Sequence, residues 1–567
     1  VQYYAAIQGI YQSKDDNRMS IVTNGSRVFI ISTLIRSMQM PLSLKIPALT
    51  DKPLMIAETR PQKISDFLEN LPLANPLSAA TALFEEMEIL NRQKIASDVR
   101  VKALELYRIA VASISEILAS YYCKSGLPLP PQAKTCAGAA ESLWLELGYG
   151  YKLALIDEQN KLFSLSSGKS NALIIQRAIE AMSQLALVYY KTYFSPPSSL
   201  WSDLNQLYLH AVHQSLHEVE VPISAENMGT ISNTFKQTLL VSLAYPQHLA
   251  PLDIKRVSDY AARYADHARL QDVGLLESTA GIFLVSLQSD KAPIPYVKNA
   301  KDKLSAGDVF LVTVDLARVI HKHIQLLQSD SLPKNNDLPP DASDARYIDL
   351  LTHLIKHWGA SPKRVFNRSR KSDGVKLGVG IAAAHFYIGG EQHASIPDAS
   401  EDNIELSDDR LISPKISAAE FTLGHWIITN ISAGGMALRK PVNPQDNIRV
   451  GDIVSVKEDK SAGWSVGVIR WATNDDQEYL DVGAQLIAPT AKAIGITRIS
   501  PAVHEQGLLL AEVPMLKQPA SIIAPSGTFG PARLLDIEED GKTIRVMITK
   551  LIERTSRFER FGFSEIS

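Results

Sequence analysis

Only two cysteines, Cys123 and Cys136, occur in 567 residues, so neither a disulfide framework nor a cysteine-based metal site is expected. Long hydrophobic runs are missing as well. No apolar stretch approaches the roughly eighteen residues needed to span a bilayer, and the chain reads as a cytoplasmic protein without a transmembrane segment. An excess of one charge is also lacking: the formal net charge is −3. That gives no reason to expect the basic surface a phosphate backbone needs, so no nucleic-acid partner is expected. No Gly-x-Ser-x-Gly elbow, phosphate-loop lysine motif or paired-carboxylate constellation stands out, and the expectation is a protein that is not an enzyme and carries no cofactor.

What is present is an ordinary globular composition, 45% hydrophobic and 21% charged, with length enough for about three to four domains. Residues 1–26 are polar and weakly patterned, and Ser26–Met38 is a short apolar stretch with two arginines that lacks a basic start and a small-residue cleavage site, so it does not read as a signal peptide. The expectation is a non-native or poorly ordered extension ahead of a natural start at Met40. From 40 to 358 the pattern is helical. Leu104, Tyr107, Val111, Ile114, Leu118 and Tyr121 recur three and four apart, which lays one apolar stripe along a helix. Asn171–Phe194, Ser199–Leu216, Ser224–Leu243, Asp253–Ala268, Asp308–Leu327 and Arg346–Trp358 follow, with proline-containing breaks such as Ser195-Pro196-Pro197. A bundle and an irregular solenoid fit this pattern equally. Residues 329–345 read as a loop or linker.

After Trp358 the period changes from 3.6 to about 2, and valine, isoleucine, threonine and glycine rise. Asp540-Gly541 between two apolar runs predicts a tight type I′ hairpin. Two polar clusters interrupt this β-rich half. The first is Arg364-Val-Phe-Asn-Arg368; the second is Asn430-Ile-Ser432-Ala-Gly434-Gly435, set between Trp426-Ile427-Ile428 and Met436-Ala437-Leu438. Guanidinium groups are rigid forks of donors that suit phosphate oxygens and guanine edges. The Asn-x-Ser segment adds short donors and acceptors, and its glycines allow tight turns and a close approach of backbone to ligand. Together they describe a site for a small molecule bearing guanine and phosphate.

Each cluster has a plainer reading. Arg364 and Arg368 are also readable as solvated charges beside Lys363, Arg370 and Lys371, and Asn430 and Ser432 as an Asx-type turn at a strand end. Trp464 and Trp471 suit a barrel core as well as a stacked base. His210, His213 and His217 share a helical face, and His353 and His357 lie one turn apart. With no convergent cysteine and no adjacent glutamate they read as packing histidines, and no metal is expected.

Arg-x-x-x-Arg followed by Asn-x-Ser-x-x-Gly on a strand resembles the PilZ domain, a six-stranded bacterial β-barrel that binds cyclic di-GMP. Gly451–Val456, Ser465–Trp471 and Val482–Leu486 are similar to the strands that complete such a barrel. The resemblance spans roughly 362–492. It implies that Arg364 and Arg368 clasp phosphates and the Hoogsteen edge of guanine, that Asn430 and Ser432 contact guanine and phosphate, and that Gly434 and Gly435 provide room. Arg368 and Asn430 are further apart than the family usually allows, which places an insertion near 389–420.

The expected fold is multidomain α+β: a helical region over 40–358, a PilZ-like six-stranded antiparallel barrel over 359–497 and a small β-rich extension over 498–567. The expected function is a cyclic di-GMP receptor whose interdomain arrangement changes on binding. The helical part would engage an unidentified protein partner, and the resemblance implies control of motility, attachment or biofilm formation. The second reading is a helical scaffold that binds proteins, with a degenerate barrel that does not bind the nucleotide.

Overall fold

The computed structural model describes residues 42–566 apart from 161–167, 225, 275–277, 298–303, 306, 330–337, 360–368, 391–420, 422, 433, 462, 476–477, 500–501 and 513–517. The N-terminal extension, the arginine cluster and all but the first two residues of the insertion expected near 389–420 lie outside the described residues.

Proline sets the start of four helices, Pro61–Glu69, Pro76–Asn91, Pro131–Gln159 and Pro251–Tyr264. At the first helical position its missing N–H goes unused and its φ is already helical. Asn75 and Thr230 cap the helices Pro76–Asn91 and Ile231–Leu243, accepting from Ser78 N (3.3 Å) and Asn233 N (3.1 Å). The long helices Ser97–Tyr122, Pro131–Gln159 and Gly168–Lys191 pack on one another and share one core with the rest of the region. The predicted stripe from Leu104 to Leu118 is buried, but it ends on Tyr122; Tyr121 faces solvent. The last step of the stripe is four residues, as the 3.6 period demands after a run of mixed threes and fours.

The region is not helical throughout. A short hairpin pairs β1 (Val221–Pro222) with β2 (Met228–Gly229). A four-stranded sheet then combines β3 (Arg269–Asp272), β4 (Ile282–Ser286), β5 (Ile294–Pro295) and β6 (Asp308–Val312) in the order β3-β6-β4-β5. The expected helix Asp308–Leu327 is therefore a strand followed by the helix Val314–Gln328. Val309, Phe310, Leu311 and Val312 are buried on both faces of β6, and a fully buried run carries no periodicity to tell strand from helix.

The PilZ-like barrel is built from β7 (Ser369–Arg370), β8 (Gly374–Val379), β9 (Gly424–Ser432), β10 (Gly435–Pro441), β11 (Ile453–Glu458), β12 (Ser465–Thr473) and β13 (Tyr479–Ala488). Their order is β10-β13-β12-β11-β8-β9-β7, and an added β9–β10 pairing closes six of them into a ring, with β7 appended to β9. A helix, Ile381–Gly389, follows β8; its apolar run has no polar face to mark it as a surface helix.

The last strands are β14 (Ala491–Ile499), β15 (Ala502–Leu510), β16 (Ser521–Pro525), β17 (Leu534–Glu539), β18 (Lys542–Arg554) and β19 (Phe558–Glu565). They close into a second barrel in the order β14-β15-β16-β19-β18-β17, so the C-terminal extension is a complete six-stranded barrel, and the expected boundary at 497/498 falls inside β14. Asp540 (φ 49°) and Gly541 (φ 76°) form its tight hairpin. Val466, Val468, Leu508, Leu510, Ile523 and Phe558 share a core that joins the two barrels. Connections of the helical region enter the first barrel's core too: Leu127 and Tyr193 pack with Ile448 and Val450, and Leu127 exchanges two backbone bonds with Ile448 (2.8 and 3.0 Å).

Candidate functional site

The side chains of Trp426 and Ile428 on β9 point into the barrel core. Strict alternation would also send Asn430 inward. A β-bulge prevents this: Ile428 pairs with Leu438 but Asn430 with Ala437, leaving Thr429 as the extra residue. Beyond the bulge Ile431 packs against the core, so Asn430 and Ser432 share the outer face.

Ser432 pairs with Gly435 across a two-residue turn that includes Gly434, and its hydroxyl donates to the Gly435 carbonyl at 3.2 Å. The Asn430 side chain makes no hydrogen bond to another described residue. Gly435 has φ +150°, and a Cβ there would stand 2.3 Å from the Ala484 carbonyl oxygen and 2.9 Å from Gln485 Cα. Its glycine is thus required by the neighbouring strand. Gly435→Ala is expected to destabilise the fold by about 1–3 kcal/mol, read as a lower thermal unfolding midpoint.

The arginine cluster, Arg364 and Arg368, lies outside the described residues. The strand that leaves it does not. Ser369 pairs with Ile431 and Arg370 with Asn430. Lys371 is held by Glu458 at 2.6 Å. Arg370 is exposed, shares the Asn430 face and has no acidic partner among the described residues.

The same outer face continues across the ring. One row runs Arg370, Asn430, Ala437, Gly483 and Trp471 through successive pairings. The Trp471 indole lies on Gly483, where a Cβ would meet Nε1 at 1.9 Å. The next row runs Ser432, Gly435 and Gln485. Gln485 accepts from Arg470 Nε at 2.6 Å, and the Arg470 guanidinium also pairs with Glu553 of the C-terminal barrel. The third row is closed by Arg439, which forks onto Asp481 at 2.7 and 2.6 Å. The floor is small (Gly435, Ala437, Gly483), flanked by polar groups from β7 and β9 on one side and by Trp471 on the other. Such a surface admits a flat, polar ligand close to the backbone.

Sequence reasoning missed Arg370, the Gly483–Trp471 pair and the Arg470–Glu553 link, because each depends on register rather than on a local motif. Trp464 stands elsewhere, stacked on Tyr387 with centroids 5.1 Å apart. His353 bonds the Ala244 carbonyl at 2.7 Å, and burial pulls His357 down to about 3 and His210 to about 4. No cluster of three or more histidine, cysteine or acidic side chains among the described residues is placed to hold a metal.

Three family models match the chain in order: the N-terminal domain of the cyclic-di-GMP receptor FimW over 62–275, its middle PilZ domain over 282–408 and 397–493, and its C-terminal β-barrel domain over 494–566. The chain belongs to this receptor family. The FimW match also covers the strands and helices from β4 onward that precede the ring, so the PilZ assignment takes in more than the motif-bearing barrel. Over 574 aligned residues the chain is 22% identical to the cyclic-di-GMP receptor FimW of Pseudomonas aeruginosa, with 92% of this chain and 93% of that protein covered. No helix among the described residues is long and apolar enough to cross a membrane.

Proposed function

We propose that this protein is a cyclic di-GMP receptor, and that the ligand lies on the outer face formed by β9, β10, β13 and β12. Arg364 and Arg368 close over it from the β7 side, Asn430 and Ser432 contact its polar edges, and Gly434 and Gly435 let it approach the hairpin. The observation that carries this reading is the β7–β9 pairing, which brings the exit of the arginine cluster against the strand bearing Asn430 and Ser432. The role is binding rather than catalysis.

The same strands supply a route outward. The β12–β13 connection bonds the helical region: Asn474 N donates to the Tyr193 carbonyl at 2.9 Å, and Ser195 Oγ donates to Asp475 at 2.9 Å. Arg470, on the strand of Trp471, bridges to Glu553 in the second barrel. A ligand that favours one setting of β12–β13 biases both neighbours by its differential affinity for the two settings. The output we assign is control of motility, attachment or biofilm formation in the cytoplasm through a protein partner of the helical region.

Calorimetric titration with cyclic di-GMP, with GTP as control, tests the reading; absence of saturable binding would leave the scaffold alternative. Ser432→Ala should weaken binding by about 1 kcal/mol, the worth of one neutral hydrogen bond, a shift of roughly fivefold in the same titration.

A further inference from the structure

A cleft of about 250 Å³ opens where the helical region, the PilZ-like barrel and the C-terminal barrel meet. Its walls carry four cations from three parts of the chain. Lys124 and Arg346 come from the helical region, Arg449 from the β10–β11 connection and Arg557 from the β18–β19 turn. Asp253 is the acidic residue of the lining.

Two of these cations already have carboxylate partners. Arg346 is forked onto Asp344 (2.6 and 3.0 Å), and Arg557 Nε donates to Asp452 at 3.0 Å. Lys124 is exposed to solvent. Arg449 differs. Its backbone N–H takes the other Asp452 oxygen at 2.8 Å, while its guanidinium donates to the Lys124 carbonyl at 3.1 Å. It has no carboxylate within ion-pair distance among the described residues. Burial, then the charge of Arg557, hold Arg449 below the ordinary arginine value, against the weaker attraction of Asp452, a carboxylate that Arg557 already engages. A half-buried guanidinium that faces another cation without a counterion of its own is electrostatically unsatisfied, and an anion in the cleft relieves both penalties.

We propose that this junction binds a small phosphate-type oxyanion, at a site separate from the dinucleotide face. Guanidinium groups arriving from different walls match oxygens that point in several directions, as in a tetrahedral phosphate, better than a planar carboxylate. The volume suits a pyrophosphate-sized group and falls short of the space that larger ligands occupy. Because the walls belong to three parts of the chain, the anion binds only their docked arrangement and stabilises it by mass action. The site stands whether or not the barrel binds cyclic di-GMP.

The test is calorimetry on the full chain at constant ionic strength, with phosphate, pyrophosphate and AMP as probes. Pyrophosphate should bind saturably. Arg449→Gln should weaken it at least about tenfold, the scale of one charge-assisted contact, and Lys124→Gln, a change at an exposed side chain, several-fold. Cyclic di-GMP binding should be the same in both variants as in the parent chain. AMP binding more tightly than phosphate would uphold the site and assign the oxyanion to a nucleotide. No saturable pyrophosphate binding, equal binding by Arg449→Gln, or displacement by cyclic di-GMP would overturn it.

Discussion

Arg364→Ala and Arg368→Ala are each expected to weaken cyclic di-GMP binding by about 1.5–3 kcal/mol, roughly ten- to a hundredfold. Each arginine supplies charge-assisted hydrogen bonds to phosphate or to the guanine O6 and N7 acceptors, and alanine supplies none. The double variant should lose less than the two single losses combined, because two groups that close over one ligand share its desolvation. Thermal unfolding should be unchanged in all three, since β7 joins the barrel through Ser369 and Arg370, downstream of both substitutions. Lysine at either position should rescue only part of the loss, since an ammonium keeps the charge but not the fork. Calorimetry showing parent-like affinity in both single variants would remove these arginines from the site. A lower unfolding midpoint would instead make them structural.

Much of the candidate site could be proposed from the sequence because its motifs are local. Asn430, Ser432 and the flanking apolar runs are contiguous, and the Asp540-Gly541 hairpin needs only two residues that accept positive φ. The rest depends on pairings between distant segments. Nothing in Thr429 itself announces the bulge that turns Asn430 outward, since the shift exists only relative to Leu438 and Ala437. β7 is two residues long, too short for any alternation to show. The closure of the second barrel rests on β14 pairing with β17, a contact across some forty residues that no window of local pattern contains. Strand β6 was lost to the opposite problem, since a segment buried on both faces looks alike as strand or helix until its partners β3 and β4 are known.

The helical region must be rigid if it is to transmit anything from the Tyr193 and Ser195 contacts, and its most exposed weakness is a buried ion pair. Lys152 and Asp203 meet at 2.7 Å with side chains only 1% and 4% exposed. They join the helix Pro131–Gln159 to Ser198–His213, and Asp203 also accepts the Lys45 backbone N–H at 3.1 Å. Desolvation pulls the Lys152 ammonium below its ordinary value, against the attraction of Asp203. Lys152→Met is expected to destabilise the region by about 3–5 kcal/mol, because it strands a carboxylate in the core with one backbone donor left. The double variant Lys152→Met, Asp203→Leu should recover most of that loss, since a packed apolar pair has no charge to desolvate. Urea unfolding followed by far-ultraviolet circular dichroism compares the two directly. A double variant as unstable as the single one would show that the pair acts through its packing and the Lys45 contact. Recovery would locate the cost in the unpaired charge, and the restored protein should then bind cyclic di-GMP as the parent does, the proposed dinucleotide face being on a different domain.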